Sequence, residues 1–125
     1  MLSIPLIILG FIFKSICDTL KFHFTTSIFN KPKLLNWWGP SSWTNCYKDH
    51  DYTKGPKFFG STTVFIMFMD AWHFFDFFRS IAFISAFTVC MFHQSFLAYL
   101  ISTAIIFIIG SAIFELLYGF LFVKK

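Results

Sequence analysis

One long stretch of the chain is free of charge: the 35 residues from Ser80 to Phe114 contain no Asp, Glu, Lys or Arg. As a single α-helix this stretch would be about 52 Å long, whereas the hydrocarbon core of a bilayer is about 30 Å thick. It is too long for one crossing and too short for two. We therefore predict two membrane-spanning helices that share it, with the first beginning before Ser80.

The second half of the chain is predicted to form helices over about residues 62–92 and 96–123, with a turn between them. A Ser-Thr-Thr sequence at residues 61–63 provides side chains that favour a helix start, and an apolar run follows it. The first of these helices would be about 46 Å long. It must therefore protrude, bend or begin along the interface. A break near residue 79, which would give four apolar segments in the chain, is the alternative.

The N-terminal apolar segment predicts a helix over about residues 5–29, long enough to cross a bilayer with tilt. Lys14, Asp18 and Lys21 fall inside it at i, i+4 and i+7 and share one face. Charged side chains within a span must face protein or water. The pattern favours a span; the alternative is an embedded start followed by an amphipathic surface helix. The basic start and cleavage site of a signal peptide are missing, so we expect the segment to be retained.

Residues 30–60 differ in composition from the rest of the chain. They hold three of the four prolines, three of the six glycines, three of the four tryptophans and half of the basic residues. Pro and Gly mark turns, and tryptophan is enriched at the headgroup level of membranes. This composition predicts a structured, Trp-rich interfacial loop between the first and second long helices.

Composition and charge agree with a membrane location. The chain is 57% hydrophobic and only 13% charged, which is too little charge for a soluble domain of this size. The net charge of +4 comes from basic residues that form no continuous face, so we expect no nucleic-acid partner. The basic residues concentrate in the loop and at the C-terminus. The positive-inside rule therefore predicts that both lie on the cytoplasmic side of the cytoplasmic (inner) membrane.

The candidate functional residues are ionisable side chains inside the predicted helices. Asp70 and His73 lie one turn apart, and such an aspartate can orient the ring, hold it cationic or stand behind a metal ligand. From the predicted helix ends, His23 and Glu115 lie at a similar depth. The four side chains would then converge as a site for a divalent metal ion or for protons. The alternative is that Asp70 and His73 form a buried pair that fixes helix packing.

Other polar residues in the helices are interpreted as structural. Asp76 and Arg79 are spaced for a local ion pair. Ser111, Glu115 and Gly119 form a stripe of small and polar residues that suits close helix contact or self-association. The sequence has no phosphate-binding glycine loop, nucleophile elbow or zinc-protease motif, so we do not expect an enzyme of a motif-bearing class.

Two functional classes remain for this all-α integral membrane protein of three transmembrane helices. The favoured class is a structural or accessory protein, either a subunit bound to another membrane protein or a homo-oligomer, whose buried polar residues serve packing. The other is a membrane-embedded metal or proton site built from the four ionisable residues named above. The lipid bilayer is a partner in both.

Three short motifs carry a resemblance. They are Ser-Trp-x-Asn-x-Tyr-Lys at residues 42–48, Gly-Ser-Thr-Thr at 60–63 and Asp-x-Trp-His at 70–73. In these the chain resembles a family of small uncharacterised bacterial integral membrane proteins, and the likeness covers about half of its length. The family pattern has paired histidines where this chain has Phe22 and His23, so the resemblance does not imply a two-histidine site there. It implies a membrane protein and no particular activity.

Overall fold

The computed structural model describes residues 3–93 and 95–122, and every regular element in this part of the chain is helical. The α-helices are α1 (Ser3–Phe22), α2 (Leu35–Trp38), α3 (Ala71–His93) and α4 (Phe96–Leu116), and α4 continues as a π-helix over Leu117–Phe122. Six short 3₁₀ turns lie in the segment between α1 and α3. The all-helical prediction is therefore confirmed for the described residues.

α1 packs against both of the other long helices, most extensively against α3. Two glycines make these contacts close. A Cβ added at Gly10 would lie 2.6 Å from the ring of Phe83 on α3, and one added at Gly110 of α4 would overlap the ring of Phe11 on α1. The rings of Phe11 and Phe83 meet edge to face, with centroids 5.6 Å apart. Glycine thus allows aromatic rings to sit directly against a neighbouring helix backbone.

Two helical segments are long and apolar enough to cross a bilayer by length and composition: α1, and residues 104–122 at the end of the chain. The large apolar side chains along α4 that face outward include Leu97, Ile101, Ile105 and Ile108. The prediction of three crossings also requires α3, whose 23 residues measure about 34 Å as a helix. That count stays a prediction.

α1 ends at Phe22 rather than near residue 29 as predicted. The backbone leaves helical geometry at His23, and a 3₁₀ turn follows over Phe24–Thr26. The hydroxyl of Ser27 donates to the carbonyl of Phe24 at 2.8 Å. Such local side-chain bonds compete with the helical hydrogen-bond ladder, which explains the early end.

α3 begins at Ala71 rather than near residue 62, so the prediction for its start is wrong. Gly60 adopts a positive φ of 82° and opens a turn in which the N–H of Phe65 donates to the Gly60 carbonyl at 2.9 Å. A 3₁₀ turn over Ile66–Phe68 follows. Because α3 is shorter than predicted and continuous to His93, it need not protrude, and the alternative of a break near residue 79 is wrong.

α4 and its π-helical extension run from Phe96 to Phe122, close to the predicted 96–123; residue 123 lies outside the described residues. Ser95 caps α4, because its hydroxyl accepts from the Ala98 N–H at 3.4 Å. The predicted turn near residues 93–95 includes residue 94, which also lies outside the described residues.

The segment between α1 and α3 is folded against the ends of the two helices. Leu20, Phe24 and Ala71 form a buried cluster there. Aromatic side chains pack around it, among them Trp38, whose ring stacks on that of Phe29 with a centroid separation of 4.7 Å. The structure therefore agrees with the prediction of a structured, Trp-rich loop, although this loop extends from residue 23 to residue 70.

Candidate functional site

Asp70 lies directly before α3 and is 1% exposed. Its Oδ1 accepts the backbone N–H of His73 at 2.9 Å, and its Oδ2 lies 2.6 Å from Nδ1 of the same residue. The first contact satisfies an N–H that the helix start leaves without a partner, and a carboxylate there is also favoured by the helix dipole. The predicted pairing of Asp70 with His73 is confirmed.

The same contact sets the orientation of the histidine ring. An ionised carboxylate can only accept hydrogen bonds, so Nδ1 of His73 must carry the proton of the 2.6 Å contact. In the neutral ring Nε2 is then the nitrogen open to a ligand, and within the described part of the chain it has no hydrogen-bond partner. The ring of Trp72 lies edge-on to that of His73, at 4.8 Å between centroids.

Neighbouring elements hold the start of α3 in place. The side-chain amide of Asn45 donates to the carbonyl of Met69 at 2.8 Å and to that of Asn36 at 2.6 Å. On the other side, the thiol of Cys17 on α1 lies 3.8 Å from the carbonyl of Trp72. Asp70 and His73 are thus fixed between α1 and the loop.

A cavity of about 330 Å³ adjoins the Asp70–His73 pair. Its wall is formed by the end of α1, including Lys21, by loop residues that include Trp38 and Trp43, and by the start of α3. The size is at the lower end of the range for small-molecule sites, and a mostly apolar lining with a few polar groups is typical of them. We call this space the tryptophan cavity.

The other two predicted site residues lie elsewhere. His23 is exposed in the turn after α1, and its ring contacts that of Tyr118 edge-on at 5.3 Å between centroids. Glu115 on α4 is also exposed. Within the described residues no group of three or more His, Cys, Asp or Glu side chains could hold a metal ion. The structure joins only Asp70 and His73, and a metal at this pair stays a prediction.

Two further pairs of charges each lie within one long helix. Lys14 and Asp18 of α1 lie 2.6 Å apart, and the Lys14 ammonium is 4.3 Å from the ring centre of Phe114 on α4. Asp76 and Arg79 of α3 lie 2.7 Å apart, which confirms the predicted ion pair. In the described residues no buried side-chain nitrogen or oxygen lacks a hydrogen-bond partner.

Glu115, the middle residue of the predicted packing stripe of Ser111, Glu115 and Gly119, is exposed. The side chain of Ser111 lies outside what the structure describes, and Gly119 has open space around the position of a Cβ. The close glycine contacts occur instead at Gly10 and Gly110, which the spacing of small residues along one helix does not reveal. Their partners are distant in sequence, so no local pattern marked them.

The loop contains polar residues whose roles the sequence did not reveal. The sequence predicts that Ser61 belongs to a helix start, but in the structure it is buried and donates its hydroxyl to the carbonyl of Cys46 at 2.7 Å. Burial raises the pKa of the Cys46 thiol. The hydroxyl and N–H of Thr53 both donate to Asp51, and these bonds lower the pKa of that exposed carboxyl.

Comparison of the chain with protein families, with curated proteins and with solved structures finds no match.

Proposed function

We propose that this chain is a small integral membrane protein with a structural or accessory role, as a subunit of a larger complex or as a homo-oligomer. In this proposal α1, α3 and α4 cross the bilayer, and residues 23–70 form a folded segment at one interface. The observation that carries it is the pairing of charges. Lys14 with Asp18 and Asp76 with Arg79 form contacts of 2.6 and 2.7 Å within single helix turns.

This pairing matters because an unpaired charge in a hydrocarbon environment is costly and usually marks a pathway or site. Here four ionisable side chains of α1 and α3 neutralise one another in two local pairs, and the unpaired Lys21 lies in the last turn of α1, next to the proposed interface. What the helices then present outward is largely apolar: Ile101 and Ile108 of α4 are 54% and 68% exposed. Such a surface suits lipid or another apolar helix and offers few groups for chemistry.

The orientation is part of the same proposal. Five lysines lie between α1 and α3, and two more end the chain. With three crossings, this distribution places the folded segment and the C-terminus in the cytoplasm and the N-terminus outside.

Alkaline extraction of membranes tests the integral association. We expect the protein to remain in the membrane pellet, because its exposed apolar helices leave no soluble form. Release into the supernatant would contradict the proposal.

Site-specific photo-crosslinking in membranes tests the accessory or oligomeric role. A photoreactive residue at Ile101 or Ile108 is expected to yield a protein–protein adduct, either a dimer or a complex with a partner. Ile106 of the same helix is 7% exposed and serves as the matched control, for which only intramolecular products are expected. Adducts with lipid alone at both exposed positions would contradict the role.

The geometry of Asp70 and His73 favours one second candidate, a metal or proton site. Its supporting observation is that Nε2 of His73 has no partner in the described residues, while Asp70 stands behind the ring as in carboxylate–histidine–metal arrangements. Metal analysis of the detergent-purified protein tests it. A stoichiometric metal that is lost in His73→Ala but retained in His50→Ala, a change in an exposed loop histidine, would favour this candidate.

A further inference from the structure

The tryptophan cavity has polar groups that suit one kind of ligand. Lys21 contributes to its wall and is exposed, and its ammonium lies 5.3 Å from the ring centre of Phe22, which is not a wall residue. Within the described residues no carboxylate lies within ion-pair distance of this ammonium. His73 also contributes to the wall and has Nε2 open. The cavity therefore offers one cation for an anionic group and one ring nitrogen for a hydroxyl.

The polar groups of the cavity argue against a ligand with a positively charged group, which a free carboxylate would recognise. Asp70 is an acidic residue in the wall, but it is 1% exposed and each of its oxygens already accepts from His73. An ammonium group would find no open acceptor on Asp70, and a trimethylammonium group, which indole rings bind by cation–π contact, would lie close to the like charge of Lys21. The charge of the cavity thus favours a negatively charged ligand over a zwitterionic one.

The rest of the wall suits an amphiphile. Trp38, Trp43 and Trp72 line the cavity, and indole rings are typical of the boundary between headgroups and acyl chains. Phe22, the last residue of α1 and next to Lys21, is 64% exposed. A small inorganic anion would leave these apolar surfaces unused, whereas the glycerol backbone and first methylenes of a lipid would cover them.

We infer that the tryptophan cavity binds the headgroup of an anionic, hydroxyl-bearing phospholipid such as phosphatidylglycerol. Lys21 pairs with the phosphate, Nε2 of His73 accepts a headgroup hydroxyl, and the tryptophan rings pack against the lipid backbone. Beyond their first methylenes the acyl chains remain outside, because about 330 Å³ is too small for two full chains. This inference rests on the proposed membrane location.

Native mass spectrometry of the full-length protein in detergent tests the inference. The probes are dioleoyl phosphatidylglycerol, dioleoyl phosphatidylcholine with the same acyl chains, and inorganic phosphate. We expect phosphatidylglycerol to bind about tenfold more tightly than phosphatidylcholine, because the trimethylammonium charge opposes the attraction between Lys21 and the phosphate and offers no hydroxyl to Nε2 of His73. Lys21→Gln is expected to remove that preference. Lys57→Gln, which removes an exposed loop charge outside the cavity, should leave it unchanged.

His73→Gln tests the second contact and is expected to reduce phosphatidylglycerol binding severalfold. This variant disturbs the start of α3, whereas Lys21→Gln alters an exposed side chain and leaves the fold intact. The comparison of Lys21→Gln with Lys57→Gln therefore decides the outcome.

Equal losses of binding in Lys21→Gln and Lys57→Gln would show unspecific attraction to surface charge and overturn the inference. Binding of inorganic phosphate with the same dependence on Lys21 would overturn the lipid assignment. A protein that resists alkaline extraction yet shows no lipid preference overturns this inference alone and leaves the proposed function standing.

Discussion

A single buried carboxylate organises the start of α3. Asp70 accepts a backbone N–H and a ring N–H from His73, and it does so at 1% exposure. A carboxylate removed from water is stable only when such partners replace its hydration. Its contribution can therefore be measured by removing the charge and the hydrogen-bond acceptor in separate steps.

We expect Asp70→Ala to lower the free energy of unfolding by about 2–3 kcal/mol, because the helix cap and the ring contact are lost together. Asp70→Asn keeps an oxygen for the N–H of His73 but loses the charge, so about 1 kcal/mol is expected. Thermal unfolding in detergent provides the measurement. Asp49→Asn, which removes an exposed carboxylate of the loop, is the matched control and should change little. Equal effects of Asp70→Asn and Asp49→Asn would contradict this role.

Two glycines on the last helical segment differ in what surrounds them. At Gly110 a Cβ would overlap the ring of Phe11, whereas at Gly119 nothing lies within 4 Å of a Cβ. Gly110→Ala should therefore destabilise the protein by about 1–3 kcal/mol through overpacking. Gly119→Ala should be neutral or stabilise it by up to about 1 kcal/mol, because alanine favours helices. Measuring the free energy of unfolding of both variants in the same detergent checks the contact between α1 and α4. Equal stabilities of the two variants would contradict this contact.

At the level of elements, the loop depends on hydrogen bonds that join distant turns. Asn45 connects α2 to the residue before Asp70 through the carbonyls of Asn36 and Met69. The hydroxyl of Ser61 likewise donates a hydrogen bond to the carbonyl of Cys46, which lies in another turn of the loop. These contacts explain how a segment of short turns keeps a defined shape.

We expect Asn45→Ala to loosen the loop without unfolding the long helices, since both of its donated bonds end on loop carbonyls. Hydrogen–deuterium exchange should increase in the segment preceding α3 and stay unchanged in α4. Asn36→Ala is the control, because the bond uses the carbonyl of Asn36 and not its side chain. Exchange that rises equally in both variants would show that Asn45 has no connecting role.

Cys46 reports on the burial of the same loop. Burial raises the pKa of its thiol, so less of the reactive thiolate is present at a given pH than in an exposed cysteine. Alkylation should therefore be slow near neutral pH and begin to accelerate at a higher pH than in a Ser41→Cys variant, whose position is exposed. Site-resolved mass spectrometry distinguishes the two thiols. Identical pH profiles would contradict a closed loop.

At the scale of the whole molecule, the number of crossings decides whether the two termini lie on the same side of the membrane or on opposite sides. An odd number places the termini on opposite sides, and an even number places them on the same side. With α1, α3 and α4 all crossing, as proposed, the distribution of lysines predicts the N-terminus outside and the C-terminus inside. The two segments most suited to a span, α1 and residues 104–122, would by themselves give the same side.

Reporter fusions at the two ends test the crossing number. A fluorescent protein that matures only in the cytoplasm should be active when fused after Lys125, and a phosphatase that folds only outside should be inactive there. The opposite pattern is expected at the N-terminus. A cytoplasmic signal at both ends would indicate two crossings, with α3 along the interface.

Features that depend on neighbouring residues were predictable from the sequence. The helical class, the extent of α4, and the pairs Asp70–His73 and Asp76–Arg79 follow from apolar runs and from spacing within one helix turn. The residues at which α1 ends and α3 begins did not follow from these local patterns. The apolar pattern predicts that α1 runs to about residue 29 with His23 inside it, whereas the helix ends at Phe22 and His23 lies in the turn that follows.

Tertiary structure decided the rest. The start of α3 is set where Asp70, held between α1 and the loop by Asn45, can cap it, and the bonds of Asn45 span up to 24 positions of sequence. The glycine contacts and the tryptophan cavity likewise join elements that are distant along the chain. The physical reason is that a helix's periodicity records only which face is apolar. Where helices meet and where they end depends on side chains brought together by folding.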